Sequence, residues 1–73
     1  MGSSRRFTLT HNETTNTWDL KNDDSDKVVR SFDTKEAATR AGVLEKALGK
    51  KGGSVTIRKK GGVFEEERRY AGR

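Results

Sequence analysis

His11 is the only histidine in this 73-residue chain, and the chain has no cysteine. A Ser-His or Cys-His pair needs a third group that orients the histidine, and no neighbouring residue suggests one. Glu65, Glu66 and Glu67 are consecutive, so on a strand they alternate between its two faces and cannot converge as an acid–base pair. The sequence therefore predicts a protein that is not an enzyme, with His11 as an ordinary residue at a strand end.

The acidic stretch at residues 22–26 has some features of a calcium-binding loop. The pattern lacks the glycine at the sixth position, and Lys35 stands at the twelfth position from Asp24, where a bidentate glutamate is required. Gly61-Gly62 does not make a phosphate-binding loop, because neither the Lys-Ser/Thr sequel nor a following helix is present. We therefore expect no metal site and no cofactor.

The whole chain carries a net charge of +5, and its basic residues are concentrated in the second half. Residues 1–33 hold five basic and six acidic side chains, whereas residues 34–73 hold eleven basic and five acidic ones. Such a surface favours an anionic partner, DNA or RNA above all, although it can also serve only as a solvated face. The candidate phosphate contacts are Arg58, Lys59, Lys60, Lys50 and Lys51, with Arg5 and Arg6 as a flexible arm.

These candidates do not resemble a base-reading constellation, so we expect a nucleic-acid-binding module with little sequence specificity. A strand of about five residues, or roughly 17 Å, separates Lys50-Lys51 from the basic residues before Gly61-Gly62. The sequence leaves open whether the candidates form one patch or two. Trp18 could stack on bases, but its alternation with Leu20 favours a place in the core.

A protein-interaction or accessory module is the alternative prediction. The chain is only 29% apolar and 37% charged, and a domain of this size buries only about 60% of its unfolded surface. A second copy of the chain or an acidic protein, bound on the sheet face that the helix leaves open, could supply the missing stability. No apolar run approaches the length of a membrane span, so we expect a cytoplasmic protein without membrane contact.

The stretch from Phe32 to Ala37 predicts the start of the only helix. Asp33 can accept a hydrogen bond from the Glu36 amide while the Glu36 carboxylate reaches back to the Asp33 amide, which is the capping-box pattern. Phe32 would pack on Ala37 and fix the angle of entry. Apolar residues then recur at helical spacing as far as Leu48, and a glycine follows. We expect one helix over about residues 34–48.

Strand patterns occupy the rest of the chain. Residues 7–11, 17–20 and 27–32 alternate between apolar and polar side chains before the helix, and residues 54–60 and the segment from 63 onward do so after it. The predicted fold class is α+β: an antiparallel sheet in the order β-β-β-α-β-β, with the helix packed on one face. We expect a single domain over residues 6–71, preceded by a flexible N-terminus at residues 1–5.

Gly61-Gly62 predicts a tight type I′ hairpin turn near the C-terminus, because that turn needs positive φ at both positions. The turn places Phe64 and Tyr70 on the core face and makes an exposed ion pair of Arg58 and Glu65. The full predicted register pairs Lys60 with Val63, Lys59 with Phe64, Arg58 with Glu65, and Thr56 with Glu67.

Several of these segments form a moderately specific combination when they occur in one short chain. They are Phe7-Thr8-Leu9, Trp18-Asp19-Leu20, the stretch from Phe32 to Ala38, Val55-Thr56-Ile57, Gly61-Gly62 and Glu67-Arg68-Arg69-Tyr70. With them the chain resembles the domain-of-unknown-function family 2188, small proteins of bacteria and their phages, over nearly its whole length. The resemblance implies the fold and no activity. More weakly, residues 6–48 are similar to the arm-type DNA-binding domains of tyrosine integrases, in which three strands precede a helix.

Overall fold

The structure, a computed structural model, describes residues 5–71, so most of the predicted flexible N-terminus (residues 1–4) lies outside the described residues. The strands are β1 (Arg6–Asn12), β2 (Thr17–Asn22), β3 (Lys27–Phe32), β4 (Gly53–Arg58) and β5 (Phe64–Tyr70). The helices are α1 (Lys35–Thr39) and α2 (Val43–Leu48), and a single 3-10 turn (Gly49–Lys51) precedes β4. Within residues 5–71 no helix is long and apolar enough to cross a membrane.

The five strands form one sheet in the order β3-β2-β1-β4-β5. The strand pairs β1–β2, β2–β3 and β4–β5 are antiparallel, as predicted, but β1 and β4 are parallel, with Phe7 beside Val55 and Leu9 beside Ile57. The prediction of a wholly antiparallel sheet is therefore wrong. The helical segment returns the chain to the end of the sheet where β1 begins, so β4 enters beside β1 and runs in the same direction.

Two short helices replace the single helix expected over residues 34–48. The break lies at Arg40, which leaves the helical region (φ −58°, ψ 147°), and at Gly42, which has a left-handed backbone (φ 83°). The Val43 amide donates to the Arg40 carbonyl at 3.0 Å, which closes the turn between the helices. Ala38, Leu44 and Leu48 are buried as the apolar spacing predicted, whereas Ala41 falls in the break and is exposed.

Thr34, not Asp33, caps the first helix. The Thr34 hydroxyl accepts a hydrogen bond from the Ala37 amide at 3.0 Å, and the Thr34 backbone is extended, as an N-cap requires. The predicted Asp33–Glu36 capping box is thus wrong by one residue. Phe32 is half-buried and packs against the core, and its contact with Ala37 stays a prediction.

Both helices cover one face of the sheet, where the core lies. The buried apolar side chains are Phe7, Leu9, Trp18, Leu20, Ala38, Leu44, Leu48, Val55 and Ile57. Every strand residue in this set lies on the alternating apolar face that the sequence predicted. Trp18 is only 6% exposed, which agrees with its predicted place in the core and removes its ring as a stacking surface.

The closing hairpin keeps the predicted register only in part. Thr56 pairs with Glu67 as predicted, but the register shifts at the end of β4, so that Arg58 pairs with Phe64 rather than with Glu65. One extra residue on β5 is typical of a β-bulge, which bends the strand locally. Phe64 consequently turns away from the core and is 57% exposed, so its predicted core position is wrong.

The bulge also redirects the charged side chains. The predicted Arg58–Glu65 ion pair does not form, because the Arg58 guanidinium donates to the Gly62 carbonyl at 2.8 Å and Glu65 pairs with Lys35 of α1. Gly61 and Gly62 both have positive φ (91° and 89°), but the predicted two-residue turn is wrong. The Gly62 amide donates to the Lys59 carbonyl and the Lys59 amide donates to the Val63 carbonyl, so the loop spans residues 60–62. Lys59 therefore lies opposite Val63, and the predicted pairs Lys60–Val63 and Lys59–Phe64 do not form. Tyr70 is half-buried and packs against the core, as predicted.

Candidate nucleic-acid interface

The seven basic candidates divide between the two ends of β4. Lys50 and Lys51 lie in the 3-10 turn before this strand, and both are exposed. Arg6 is exposed and lies beside Ser54, near the same end. We call residues 5, 6, 50 and 51 the proximal cluster. Arg58, Lys59 and Lys60 lie at the opposite end of β4, so the structure answers the question of one patch or two in favour of two.

Arg5 is held against the domain rather than projecting as an arm. Its guanidinium donates to the Leu48 carbonyl at 2.8 Å and lies 5.0 Å from the centre of the Phe7 ring. Its carbonyl accepts a hydrogen bond from the Ser54 amide at 2.9 Å. These contacts satisfy a backbone carbonyl at the end of α2 and a backbone amide at the start of β4, so Arg5 stabilises the fold. Arg6 is the more available cation of the pair.

The turn between β4 and β5 is a well-ordered basic loop. We call residues 58–64 the hairpin tip. The Lys59 amide donates to the Val63 carbonyl at 2.8 Å, and the Gly62 amide donates to the Lys59 carbonyl at 2.9 Å. The hydrogen bond from Arg58 to Gly62 braces the turn from its side. The chain direction at the hairpin tip is therefore fixed before any partner binds.

Two kinds of side chain are exposed at the hairpin tip. Lys59 and Lys60 are exposed, and among residues 5–71 neither ammonium group lies within ion-pair distance of a carboxylate. Val63 and Phe64 are also exposed, at 64% and 57%. Sequence reasoning missed this apolar pair, because the regular register placed Phe64 in the core and gave no sign of the bulge.

The sheet face opposite the helices, here called the open face, is mostly polar, and its exposed apolar residues include Val28 and Phe64. Residues that alternate with the core positions line it, among them Thr8, Thr10, Asp19, Ser54, Thr56 and Arg58. A hydroxyl-rich surface with interspersed charges does not resemble the apolar face that a stable obligate interface buries.

Asp19 is the one buried charged side chain among the described residues, at 8% exposure. Burial alone would raise its pKa, but hydrogen bonds from Asn12, Thr17 and Ser31, together with the charge of Lys21, outweigh burial and lower the pKa. The hydrogen-bond distances are 3.1, 2.9 and 2.9 Å. This carboxylate is ionised and saturated with donors, so it organises the open face and is not poised for proton transfer.

A cleft lies on the helix side, between α1 and β5, and Lys60 of the hairpin tip is among the residues that line it. His11 contacts Asn16 through Nε2 at 3.0 Å, its Nδ1 is buried without a hydrogen-bond partner in the described part of the chain, and its ring lies 5.2 Å from that of Trp18. Lys35 pairs with Glu65 across this cleft. Because its central charges are already paired within the fold, the cleft is a weaker candidate for binding an anion than the hairpin tip.

Hydrogen bonds within the turn and to Thr8 stabilise the acidic turn at residues 22–26. The Asn22 side-chain oxygen accepts from the amides of Asp24 and Ser25, and Asp23 accepts from the Thr8 hydroxyl at 2.7 Å. Within the described ranges, no group of three or more histidine, cysteine, aspartate or glutamate side chains is placed to hold a metal ion.

The family comparison covers nearly the whole chain. A family model described as an uncharacterized protein conserved in bacteria, DUF2188, matches residues 8–70. The chain belongs to the DUF2188 family. This confirms the resemblance drawn from the strand, helix-start and hairpin segments. Comparison with curated proteins and with solved structures found no match. The DUF2188 description names no activity.

Proposed function

We propose that this protein is a small, non-enzymatic nucleic-acid-binding module that contacts phosphates through its hairpin tip. The observation that carries the proposal is the exposure of Lys59 and Lys60 on a braced turn, with no carboxylate partner in the described residues. Unpaired ammonium groups keep their full attraction for phosphate, and such contacts supply most of the affinity of non-specific binding. A β-hairpin can also approach a groove or a backbone edge-on.

The apolar part of the hairpin tip supports this partner over a purely solvated surface. Two exposed apolar side chains beside lysines do not help to solvate a turn. Nucleic-acid-binding surfaces, in contrast, combine cations with aromatic or apolar groups that contact bases. The proximal cluster adds Arg6, Lys50 and Lys51 at the other end of β4. The five steps along β4 correspond to roughly 17 Å, so one strand of nucleic acid can reach both regions.

A salt-dependent titration tests the proposal. Labelled duplex DNA, single-stranded DNA and RNA of equal length are titrated with the protein at several salt concentrations. We expect binding that weakens as salt rises, because each phosphate contact releases counterions. We expect little difference between sequences of one length, because phosphate contacts do not read bases. Absence of binding to all three at low salt would refute the proposal.

Self-association is the second candidate, and the edge strand β5 favours it. β5 is the last strand of the sheet, and within residues 5–71 nothing pairs with its outer edge. Its sequence places Glu66-Glu67 directly before Arg68-Arg69. If a second copy adds its β5 in antiparallel orientation, the acidic half of one strand faces the basic half of the other. Cross-strand pairs of opposite charge contribute about 0.2–1 kcal/mol each. The edge is therefore a better route to a dimer than the polar open face.

Two charge reversals test this second candidate. Glu67→Lys makes β5 mainly basic, and Arg69→Glu makes it mainly acidic. If β5 pairs with itself, each variant alone is monomeric at a concentration where the parent chain dimerises, and an equimolar mixture restores the dimer. Sedimentation velocity on the three samples gives the answer. A parent chain that stays monomeric at high micromolar concentration, or a mixture that stays monomeric when the parent does not, excludes pairing through β5.

A further inference from the structure

The strand register connects the two basic regions across the open face. Residues that pair across neighbouring strands point to the same side of the sheet. Arg6, Ser54 and Arg69 form a row over β1, β4 and β5 near one end of β4. Arg58 and Phe64 form a row near the other end. Cations at both ends of the open face therefore bracket the central hydroxyl groups.

The open face between these two rows, here called the path, is suited to binding a sugar–phosphate backbone. Thr56 lies between the two rows on β4, and hydroxyl groups are common donors to phosphate and sugar oxygens. Glu67 of this face lies 3.7 Å from the Arg69 guanidinium, so a neighbouring cation counters its charge. Asp19 is ionised, but it is only 8% exposed and accepts three hydrogen bonds from neighbouring side chains, so its carboxylate lies below the surface that a phosphate would approach.

The exposed ring of Phe64 favours single-stranded over double-stranded nucleic acid as the ligand. It lies beside Arg58 on the open face and is 57% exposed, so its ring is accessible to an incoming flat group. Stacking on a protein ring needs a base with an exposed face, which unpaired nucleotides offer and the interior of a duplex does not. A solvent-exposed phenylalanine at the end of a cationic path therefore fits a single strand better than a double helix.

Resting on the proposed function, we propose that the ligand is single-stranded nucleic acid, laid across the open face with one base stacked on Phe64. Arg58 contacts the backbone next to the stacked base. Arg6 and Arg69 contact the backbone at the far end of the face. This assigns the open face, and not only the hairpin tip, as the binding surface.

Replacing the phenylalanine ring separates stacking from charge. Phe64→Ala should weaken binding to single-stranded DNA about 5- to 150-fold, the range for losing one base–aromatic stack, and leave the residual binding to a duplex of equal length unchanged. Phe64→Leu keeps an apolar side chain but should lose most of the same affinity, whereas Phe64→Tyr should retain it. Equal affinity of Phe64→Leu and the parent chain for single strands would overturn the stacking role.

A fluorescent variant reports the stack directly. Trp18 is the only tryptophan of the chain and is buried, so Phe64→Trp adds one exposed indole at the hairpin tip. Single-stranded DNA should quench the added emission, and a duplex should not. Quenching by the duplex alone, or tighter binding of the duplex than of the single strand, contradicts the inference.

The far end of the path has its own matched pair of variants. Arg6→Gln on the open face should flatten the salt dependence on single strands by about 0.7, one phosphate contact. Arg40→Gln removes the same charge from the exposed break between the helices and should leave the slope unchanged. Equal slopes for the two variants exclude the open face as the path.

If nucleic acid binds and only the stacking and Arg6 results fail, this inference falls while the proposed function stands; if no nucleic acid binds, both fall.

Discussion

The Arg68 guanidinium donates a hydrogen bond to the Thr39 carbonyl, 3.2 Å away, and so joins β5 to the end of α1. The same side chain lies 3.2 Å from the Glu66 carboxylate, and this hydrogen bond is the main reason why the pKa of Arg68 is raised. Thr39 is the last residue of α1, where a carbonyl has no partner within the helix. Arg68 therefore fixes the short first helix against the edge of the sheet.

We expect Arg68→Gln to lower the free energy of unfolding by about 1 kcal/mol, since a hydrogen bond from a charged group is lost at a partly exposed site. Urea denaturation followed by circular dichroism measures the change. Arg69→Gln is the matched control, because that side chain is 83% exposed and its ion pair with Glu67 lies at the surface. Equal effects of the two variants would mean that Arg68 does not hold α1.

The cap of α1 gives a second prediction. Thr34→Ala should cost about 1 kcal/mol, because the Ala37 amide loses its acceptor. Asp33→Ala serves as the control and should be close to neutral, since Thr34 is the residue that caps the helix. The two urea midpoints decide the point. A larger loss for Asp33→Ala would restore the capping box that the sequence suggested.

Asp19 makes stability depend on pH in the acid range. Its pKa is lowered in the folded state from an ordinary value of 3.8, so the folded state disfavours the protonated form. Its contribution is complete above that ordinary value and is lost as pH falls through the lowered folded pKa. Asp19→Asn should therefore be less stable near neutral pH and should lose less stability on acidification. Unfolding free energies measured from pH 7 to pH 2.5 test this, and parallel curves for the two proteins would contradict it.

Local patterns in the sequence predicted much of the fold, and the predictions that were wrong have physical causes. Alternation identified all strand segments and the core face of every strand except β5, and Gly61-Gly62 indicated where the last turn lies but not its three-residue loop. The parallel pairing of β1 and β4 joins residues more than forty positions apart, so no local pattern reports it. The apolar spacing from Ala37 to Leu48 is compatible with one helix, and only Gly42, with its left-handed backbone, indicates the break.

The candidate site was predicted in part. The basic residues were identified by charge alone, and the structure places Lys59 and Lys60 on an exposed turn as their sequence context suggested. Charge could not show that Arg5 contacts Leu48, because that contact depends on where α2 ends. Phe64 was assigned to the wrong environment, since a bulge of a single residue reverses the direction of a side chain and leaves no mark in the hydrophobic pattern.

The salt dependence of binding by a lysine-deficient hairpin tip tests the central claim most directly. Lys59→Gln together with Lys60→Gln is compared with Lys27→Gln together with Arg30→Gln, which removes the same charge from exposed positions of β3. On single-stranded DNA each phosphate contact contributes about −0.7 to the slope of log affinity against log salt. The hairpin-tip variant should flatten that slope by about 1.4, which corresponds to two contacts, and the β3 variant should leave it unchanged. Identical slopes for both variants, or an unchanged slope for the hairpin-tip variant, would contradict binding through Lys59 and Lys60.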